Sequence, residues 1–259
     1  MIPAQRRRLI LDLLYDQGAV SVQQLSERAG ASHITIRRDL DQMAADGLVE
    51  RSHGGAALAS GRDRPRRAGP GDRLRERMLR AKAAIGAAAA DRLEAGQHVI
   101  IDAGIAGTEA ARRLLARNLA LTVVTNNLKT AAVLAQSERV RLIVTGGTRV
   151  PGASTLLGEP GQDFIERLHA DVALVSVQAI GNGRLSDSSV EVAAMKRRLI
   201  AAARRVLLLA DSWKFGGPAL CDVCSLADIH EVFTDAGLPG PVRAALRRTR
   251  TAVRIVRPR

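Results

Sequence analysis

The sequence contains few aromatic residues and few cysteines. Only five of its 259 residues are Phe, Tyr or Trp, which argues against a ligand held chiefly by ring stacking. Its two cysteines, Cys221 and Cys224, are too few for a disulfide framework, and no second Cys or His pair nearby completes a zinc site. We therefore expect reduced thiols, no metal site and no cofactor.

Long apolar runs are missing as well. No stretch approaches the roughly 18 uncharged apolar residues that a membrane helix needs. Asp12 and Asp16 interrupt the apolar part of the N-terminal segment, where a signal peptide carries no charge. The chain is therefore predicted to act in the cytoplasm and to have no membrane partner.

Basic residues outnumber acidic ones, and the net charge is +13. Such a balance suggests a nucleic-acid partner. The excess is absent from residues 1–57, however, which hold seven Arg and seven acidic residues. Because 35 of the 39 basic residues are Arg, the excess reflects a compositional bias. DNA binding must therefore be argued from local geometry.

The distribution of Gly, Pro and apolar residues divides the chain into two domains and a linker. Residues 1–58 are predicted to form three helices followed by two short strands. Residues 59–75, rich in Gly, Pro and Arg, are the predicted linker. Residues 76–259 form the second domain, and the helix that leads into it is predicted over about 72–95.

The second domain shows the alternation of strands and helices that is typical of βαβ units. Its predicted strands are HVIID, LTVVTN, VRLIVTGG, ADVALVSV, RVLLLAD, HEVFTD and VRIV. Helical segments of ten to fifteen residues separate them. The predicted fold class is therefore α/β, with an N-terminal winged helix-turn-helix domain followed by a mostly parallel, Rossmann-like α/β domain.

The second and third helices of the first domain fit a helix-turn-helix. A capping box that begins at Ser21 starts the second helix, and Gly30 ends it. Ser32 is placed to cap the third helix. The buried stripe predicted for that helix is Ile36, Leu40 and Met43.

The opposite face of the third helix holds candidate DNA contacts. Small side chains and two arginines near a helix N-terminus suit the base edges of the major groove. The strand LVERSH and a turn at Gly54 and Gly55 are predicted to form a wing that reaches the DNA backbone or minor groove. The candidates are Ile34, Thr35, Arg37 and Arg38 on the helix, with Arg51 and His53 in the wing. An ordinary three-helix unit with a solvated arginine face is the alternative.

The segment VSVQQLSERAGASHITIRRDLDQMAADGLVERSHGGA resembles the helix-turn-helix and wing of the DeoR-type repressors, in which TIRRDL and HGGA are typical. The match has no gaps, and the resemblance extends over about 250 residues. It implies that Ser32, Thr35, Arg37 and Arg38 contact an operator and that His53 lies in the wing. The second domain of this family resembles sugar-phosphate isomerases of the ribose-5-phosphate type, without known turnover.

The resemblance also implies an effector site in the second domain. All of its candidate residues except Glu191 and Lys196 lie at or just beyond the ends of predicted strands, where open α/β sheets bind ligands. The candidates are Asp102, Gly104, Asn126, Gly146, Gly147, Glu191, Lys196, Asp211 and Lys214.

Lysine usage supports part of this site. Where Arg prevails, a retained Lys indicates a need for a compact, rotatable ammonium group. Lys196 and Lys214 coincide with family motif positions, whereas Lys82 and Lys129 fit chance surface positions. The glycine loop DAGIAGT at 102–108 fits either an anion-binding loop or a tight turn.

Two departures from the family pattern bear on function. Ile105, Ala106 and Gly107 stand where hydroxyl side chains are usual in the family, which argues against the prediction that this loop binds phosphate. Gln178 cannot act as an acid or base, which argues against the interpretation of the chain as an enzyme. Other residues are predicted to be structural: His98, His169 and His230 lie away from the glycine loops, and Trp213 and Phe215 are expected in the core.

The predicted function is that of a transcriptional repressor of a carbohydrate or polyol operon. Its partners would be a double-stranded operator, a phosphorylated sugar or polyol and, because one recognition helix reads too few base pairs, further copies of itself in a dimer or tetramer. The first alternative is a sugar-phosphate isomerase-like enzyme with an appended DNA module, which a catalytic carboxylate or His in the pocket would favour. The second is a nucleoid-type binder, which needs no sensing domain.

Overall fold

The computed structural model describes residues 3–17, 19–45, 48–52, 54–58, 70–149, 153–246, 249 and 251–257. Contacts group the chain into two compact units. The first comprises Met1–Leu79 with Pro151–Ala153, and the second comprises Arg80–Val150 with Ser154–Arg259.

The first unit combines three helices with a small sheet. Its elements are α1 (Pro3–Gln17), β1 (Ala19–Ser21), α2 (Val22–Ala29), α3 (His33–Ala45), β2 (Val49–Ser52) and β3 (Gly55–Leu58). The strands are antiparallel in the order β1-β3-β2. This is the predicted winged helix-turn-helix with one added strand, β1, which is too short to show a period of its own.

Gly55 explains how β3 fits between its neighbours. A Cβ atom at this position would lie 2.4 Å from the carbonyl oxygen of Val20 on β1. Only glycine permits that approach. The turn itself is made at Gly54, which has a φ of +84°, so Gly55 belongs to the strand and not to the predicted turn.

The second unit is built on a seven-stranded sheet. Its strands are β4 (His98–Ile101), β5 (Leu121–Thr125), β6 (Val140–Val144), β9 (Ala170–Val175), β12 (Ala203–Leu209), β14 (Glu231–Asp235) and β15 (Ala252–Val256). Their order is β15-β14-β12-β9-β4-β5-β6, and every neighbouring pair is parallel. These are the seven strands that the sequence predicts, so the Rossmann-like fold class is confirmed.

Helices flank this sheet because both of its faces are apolar. They are α4 (Pro70–Ala90), α5 (Ile105–Arg117), α6 (Leu128–Leu134), α7 (Gly161–Glu166), α8 (Val190–Ala201) and α9 (Gly240–Leu246). Along β4, Val99 and Ile101 join one buried cluster, and Ile100 joins the other. The first cluster includes residues of α4 and α5, and the second includes residues of α7 and α8. Such two-sided burial is the rule for parallel sheets.

Several short strands were not predicted. They are β7 (Thr148–Arg149) and β8 (Leu156–Leu157), which form a hairpin, and β10 (Ala179–Gly181), β11 (Arg184–Asp187) and β13 (Cys221–Ser225), which form an antiparallel sheet. They lie outside the alternation of strands and helices by which the sequence predicts the parallel strands. Their pairing depends on tertiary contacts.

Helix α4 differs from the predicted helix at both ends. It begins at Pro70, a favoured first helical residue, and ends at Ala90 rather than near 95. The last six residues of the predicted linker, 59–75, are therefore helical, and the others lie outside the described residues. Within the described ranges, none of the helices combines the length and apolar character needed to cross a membrane.

Candidate functional site

Helix α3 is held by a polar cap and an apolar stripe. The Ser32 hydroxyl accepts a hydrogen bond from the backbone N–H of Thr35 at 3.2 Å, and the two hydroxyl oxygens lie 2.9 Å apart. Ser32 therefore caps the helix as predicted. The stripe is fully buried, with no exposed surface on Ile36, Leu40 or Met43.

The outer face of α3 carries the predicted DNA contacts. Arg37 and Arg38 are exposed, Thr35 is half-buried, and Ile34 is 71% exposed. Ile34 is thus a large apolar side chain left in water at the start of the helix, opposite the buried stripe. Exposed Ile34 is suited to contact a thymine methyl group, and the arginines are suited to guanine or phosphate.

The wing lies beside this face. Arg37 and Arg51 line one groove together with Ser52 and Gly54. Arg51 Nε also lies 3.2 Å from Asp41 Oδ1, so β2 is tied to α3 by an ion pair. His53, the other wing candidate, falls outside the described residues. The structure thus brings Arg37 and Arg51 together.

Asp39 was not anticipated by the sequence reasoning. It lies on α3 between the exposed arginines and the apolar stripe, and it is 3% exposed. Its carboxylate accepts hydrogen bonds from Arg6 and Arg7 of α1. The sequence does not predict this pairing, because 32 or more residues separate Asp39 from both arginines.

In the second unit, the strand order reverses between β4 and β9. The chain runs from β4 outward through β5 and β6, then returns to β9 on the other side of β4. Open α/β sheets bind ligands at such a switch point, beyond the carboxyl ends of the strands. Asp102 follows β4 directly, and Ser176 follows β9 directly.

A buried lysine joins these two strand ends. Lys196 Nζ, from α8, donates to Asp102 Oδ2 at 2.5 Å and to the Ser176 carbonyl oxygen at 2.5 Å. The Ser176 N–H donates to the same Asp102 oxygen at 3.2 Å. Burial alone would lower the pKa of Lys196, but the carboxylates of Asp102 and Asp187 outweigh it and raise that pKa. Lys196 is therefore a buried cation at neutral pH.

Asp187 is a member of this cluster that the sequence reasoning missed. Its Oδ2 lies 3.9 Å from Lys196 Nζ. Burial raises its pKa above the ordinary value, although Lys196 and Lys214 partly oppose the shift. It is the last residue of β11, a strand that the sequence does not predict. The Lys214 ammonium donates to the carbonyl oxygen of Val177, so the second predicted lysine also reaches the end of β9.

Gly104 and Asn126 shape the loop after β4. Gly104 has a φ of +155°, which favours glycine, and a Cβ atom there would lie 2.5 Å from Ser176 Oγ and displace that hydroxyl. Asn126 is 1% exposed, and its Oδ1 accepts from the Ala103 N–H at 3.1 Å. Both residues are thus held around Asp102.

The remaining predicted residues lie farther along the sheet edge or on its helices. Gly146 and Gly147 follow β6, and a Cβ on Gly147 would meet the Leu157 carbonyl oxygen at 2.7 Å. Glu191 is exposed in the first turn of α8, where it accepts from Ser189 Oγ at 2.5 Å. Asp211 follows β12 and is buried.

Lys82 corrects one expectation. It is 6% exposed, and its Nζ lies 4.0 Å from Asp211 Oδ2. It is therefore buried against the second unit's sheet edge and not at the surface, whereas Lys129 is exposed. Of the four lysines, Lys82 and Lys196 are therefore buried, Lys214 is half-buried and Lys129 is exposed.

Comparison with known proteins settles the family. A model of the DeoR-like helix-turn-helix domain matches residues 6–62. A model of the DeoR C terminal sensor domain matches residues 77–236. The chain belongs to the DeoR family.

Curated relatives of this DeoR-family chain are similar over nearly its whole length. The glycerol-3-phosphate regulon repressor of Escherichia coli K12 is 32% identical, over 95% of this chain and 96% of the relative. GlpR of Haloferax volcanii is 33% identical over 94% of each chain. The L-fucose operon activator of Haemophilus influenzae is 32% identical, over 90% and 92%. The relatives are transcriptional regulators and not enzymes, and this chain is likewise a DNA-binding transcriptional regulator.

Other polar side chains of the DeoR-family chain make contacts within the fold, away from the two candidate sites. His230 Nδ1 accepts from the Val206 N–H at 3.1 Å, and His98 starts β4 beside Asp171. Burial raises the pKa of Cys224 to about 12, so this thiol is protonated at neutral pH and is a poor nucleophile. Among the described residues, no group of three or more His, Cys, Asp or Glu side chains could hold a metal ion.

The aromatic prediction holds for one residue and is wrong for the other. Phe215 is 9% exposed and packs in the core, but Trp213 is 53% exposed. Trp213 lies within the short 3₁₀ turn Ser212–Lys214, whereas Phe215 is the extended residue that ends this turn and forms a β-bridge with Ile180.

Proposed function

We propose that this DeoR-family regulator represses a carbohydrate or polyol operon in the cytoplasm. In this proposal α3 reads the operator, and a phosphorylated sugar or polyol in the sensor domain controls operator affinity. The observation that carries the DNA-reading role is the exposed face of α3, where Ile34, Arg37 and Arg38 lie opposite a fully buried stripe. The names of the relatives, which include a glycerol-3-phosphate regulon repressor, support the effector class.

The cluster at the ends of β4 and β9 supports a polyhydroxylated anion as effector. The buried carboxylates of Asp102 and Asp187 can accept hydrogen bonds from sugar hydroxyl groups. The ammonium of Lys214 is a compact donor for a phosphate oxygen. Because the glycine loop has Ile105 and Ala106 in place of hydroxyl residues, we assign the phosphate to the lysine rather than to that loop.

A screen of ligands tests the effector class. Thermal unfolding of the whole protein should shift upward with glycerol 3-phosphate or with sugar phosphates, and not with the same compounds lacking phosphate. Linkage makes the shift grow with ligand concentration. Stabilisation by an unphosphorylated sugar alone would replace the phosphate assignment with an uncharged effector.

Lys214→Ala should uncouple the effector from DNA. We expect the variant to bind operator as the parent does and to lose the effect of the phosphorylated ligand on operator affinity. A tenfold effect corresponds to about 1.4 kcal/mol of coupling, which one charge-assisted contact can supply. Lys214→Arg should fail too, since a planar fork replaces a point charge. Operator titrations by fluorescence anisotropy, with and without ligand, measure this coupling.

The matched control is Lys129→Ala, which removes an exposed lysine from the same unit. It should retain both operator affinity and the ligand response. If Lys214→Ala and Lys214→Arg respond to the ligand as the parent does, Lys214 does not bind the effector and the pocket lies elsewhere.

We also expect the protein to form a dimer or a larger assembly. One recognition helix reads too few base pairs for specificity, and paired helices contact half-sites about 34 Å apart or at multiples of that spacing. Light scattering at micromolar concentration, with and without operator, measures the assembly. A monomer under both conditions would contradict this expectation.

A further inference from the structure

A second groove borders α3 on the side of α1. Arg6 and Arg7 contribute to it from α1, and Thr35 and Arg38 contribute from α3. The groove therefore adjoins the α3 face to which we assign operator reading. Asp39 of α3 also lines this groove.

One carboxylate holds two guanidinium groups in this groove. Asp39 Oδ2 accepts from Arg6 Nε, and Asp39 Oδ1 accepts from Arg7 Nε at 3.2 Å. The Arg6 side chain is 10% exposed and the Asp39 side chain is 5% exposed, whereas the Arg7 side chain is 40% exposed. The inner pair is thus enclosed, and Arg7 lies at the surface.

The charge balance does not require Arg7. A buried carboxylate needs one cation to offset its charge, and Arg6 already supplies it. With Arg38 included, the groove contains three arginines and one aspartate, so a net positive charge remains. Arg7 is a surplus cation whose Nε is fixed by a carboxylate, and a fixed side chain loses less entropy when it binds an anion.

We propose that Arg7 is a second DNA contact, which binds a backbone phosphate beside the bases read by α3. This proposal rests on the proposed role of α3 as the recognition helix. An arginine held by a carboxylate and facing a positive groove matches the planar, multidentate recognition of phosphate. Phosphate contacts fix the register of the protein on DNA without specifying sequence.

Arg7→Gln tests the contact. The probes are a duplex that the parent protein selects from a random-sequence pool and a scrambled version of that duplex. We expect affinity for both to fall by about two- to fivefold, as for an exposed charge contact. The slope of log K against log salt concentration should become shallower by about 0.9 for each α3 bound, since one phosphate contact is lost. Arg7→Lys should restore the slope, because it retains the charge.

Arg113→Gln is the matched control. Arg113 is also a half-exposed arginine, and its Nε lies 2.8 Å from Oδ1 of Asp91, which follows α4. Unlike Arg7, it belongs to the second unit, which contains the sensor domain. It should leave affinity and salt slope unchanged.

Four results would overturn the proposal. Parent-like affinity and slope in Arg7→Gln would remove the contact, and a loss confined to the selected duplex would make Arg7 a base reader. A smaller active fraction with the parent slope would show a purely structural role. If the parent protein selects no duplex, the DNA-reading role of α3 fails and the Arg7 contact fails with it.

Discussion

Changing both Arg37 and Arg38 to alanine is expected to weaken operator binding by about 30-fold or more, since each bidentate base contact contributes about 1–3 kcal/mol. Both side chains are exposed on α3, and Arg37 also lines the groove beside the wing. Fluorescence anisotropy with the selected and scrambled duplexes measures the loss. Arg38→Ala alone should relax sequence preference if Arg38 contacts a base, and should preserve preference with a smaller loss if it contacts only phosphate.

The control is a double alanine variant at Arg112 and Arg113, two consecutive exposed arginines of α5. It removes the same charge from a helix of the sensor unit, and operator affinity should remain at the parent level. Retained affinity and preference in the variant lacking Arg37 and Arg38 would show that α3 does not read the operator.

Lys196→Met is expected to lower the free energy of unfolding of the sensor unit by about 3–5 kcal/mol, because it leaves buried carboxylates without their cation. The pKa of Lys196 is raised in the folded protein. Its stabilising contribution is therefore fully present below the ordinary value of 10.5 and is lost only as pH rises through the higher folded value. Urea unfolding at pH 7 followed by circular dichroism thus measures the whole effect.

Two further variants make this result specific. Lys129→Met, at an exposed lysine of the same unit, should change stability by less than about 0.5 kcal/mol. Combining Lys196→Met with Asp102→Asn should recover part of the loss, since one uncompensated carboxylate is then removed. Equal unfolding free energies for the Lys196 and Lys129 variants would contradict the buried ion cluster.

The sequence predicts those features that follow from local period and local capping. The seven strands of the parallel sheet are four to seven residues long and rich in apolar residues, and central strands such as β4 and β9 are recognisable because they are buried on both faces. Ser32 and the stripe through Ile36 and Leu40 are predictable for the same reason, since a cap and a helical period involve residues only three or four apart.

Other members of the two sites depend on contacts between distant segments. Asp39 meets Arg6 across 33 residues, and Lys196 meets Asp102 across 94 residues. Pairs so far apart leave no pattern in the local sequence. Asp187 was missed for a further reason, because it ends a four-residue strand that the sequence does not predict. The family pattern pointed to Asp102 and Lys196 separately, but it did not show that they form a direct ion pair.

By itself the sequence determined the order of the two domains, the third helix with its buried stripe and the strand ends beyond which the candidate effector residues lie, because hydrophobic period and chain direction fix these features. The tertiary structure decided which of those strand ends meet. The order β9-β4-β5 places Asp102 beside Ser176, and α8 then brings Lys196 onto both. It also decided that Lys82 is buried and that Arg7 is held at the surface by Asp39. Burial and ion pairing are properties of the surroundings of a side chain, and those surroundings exist only after distant segments have packed together.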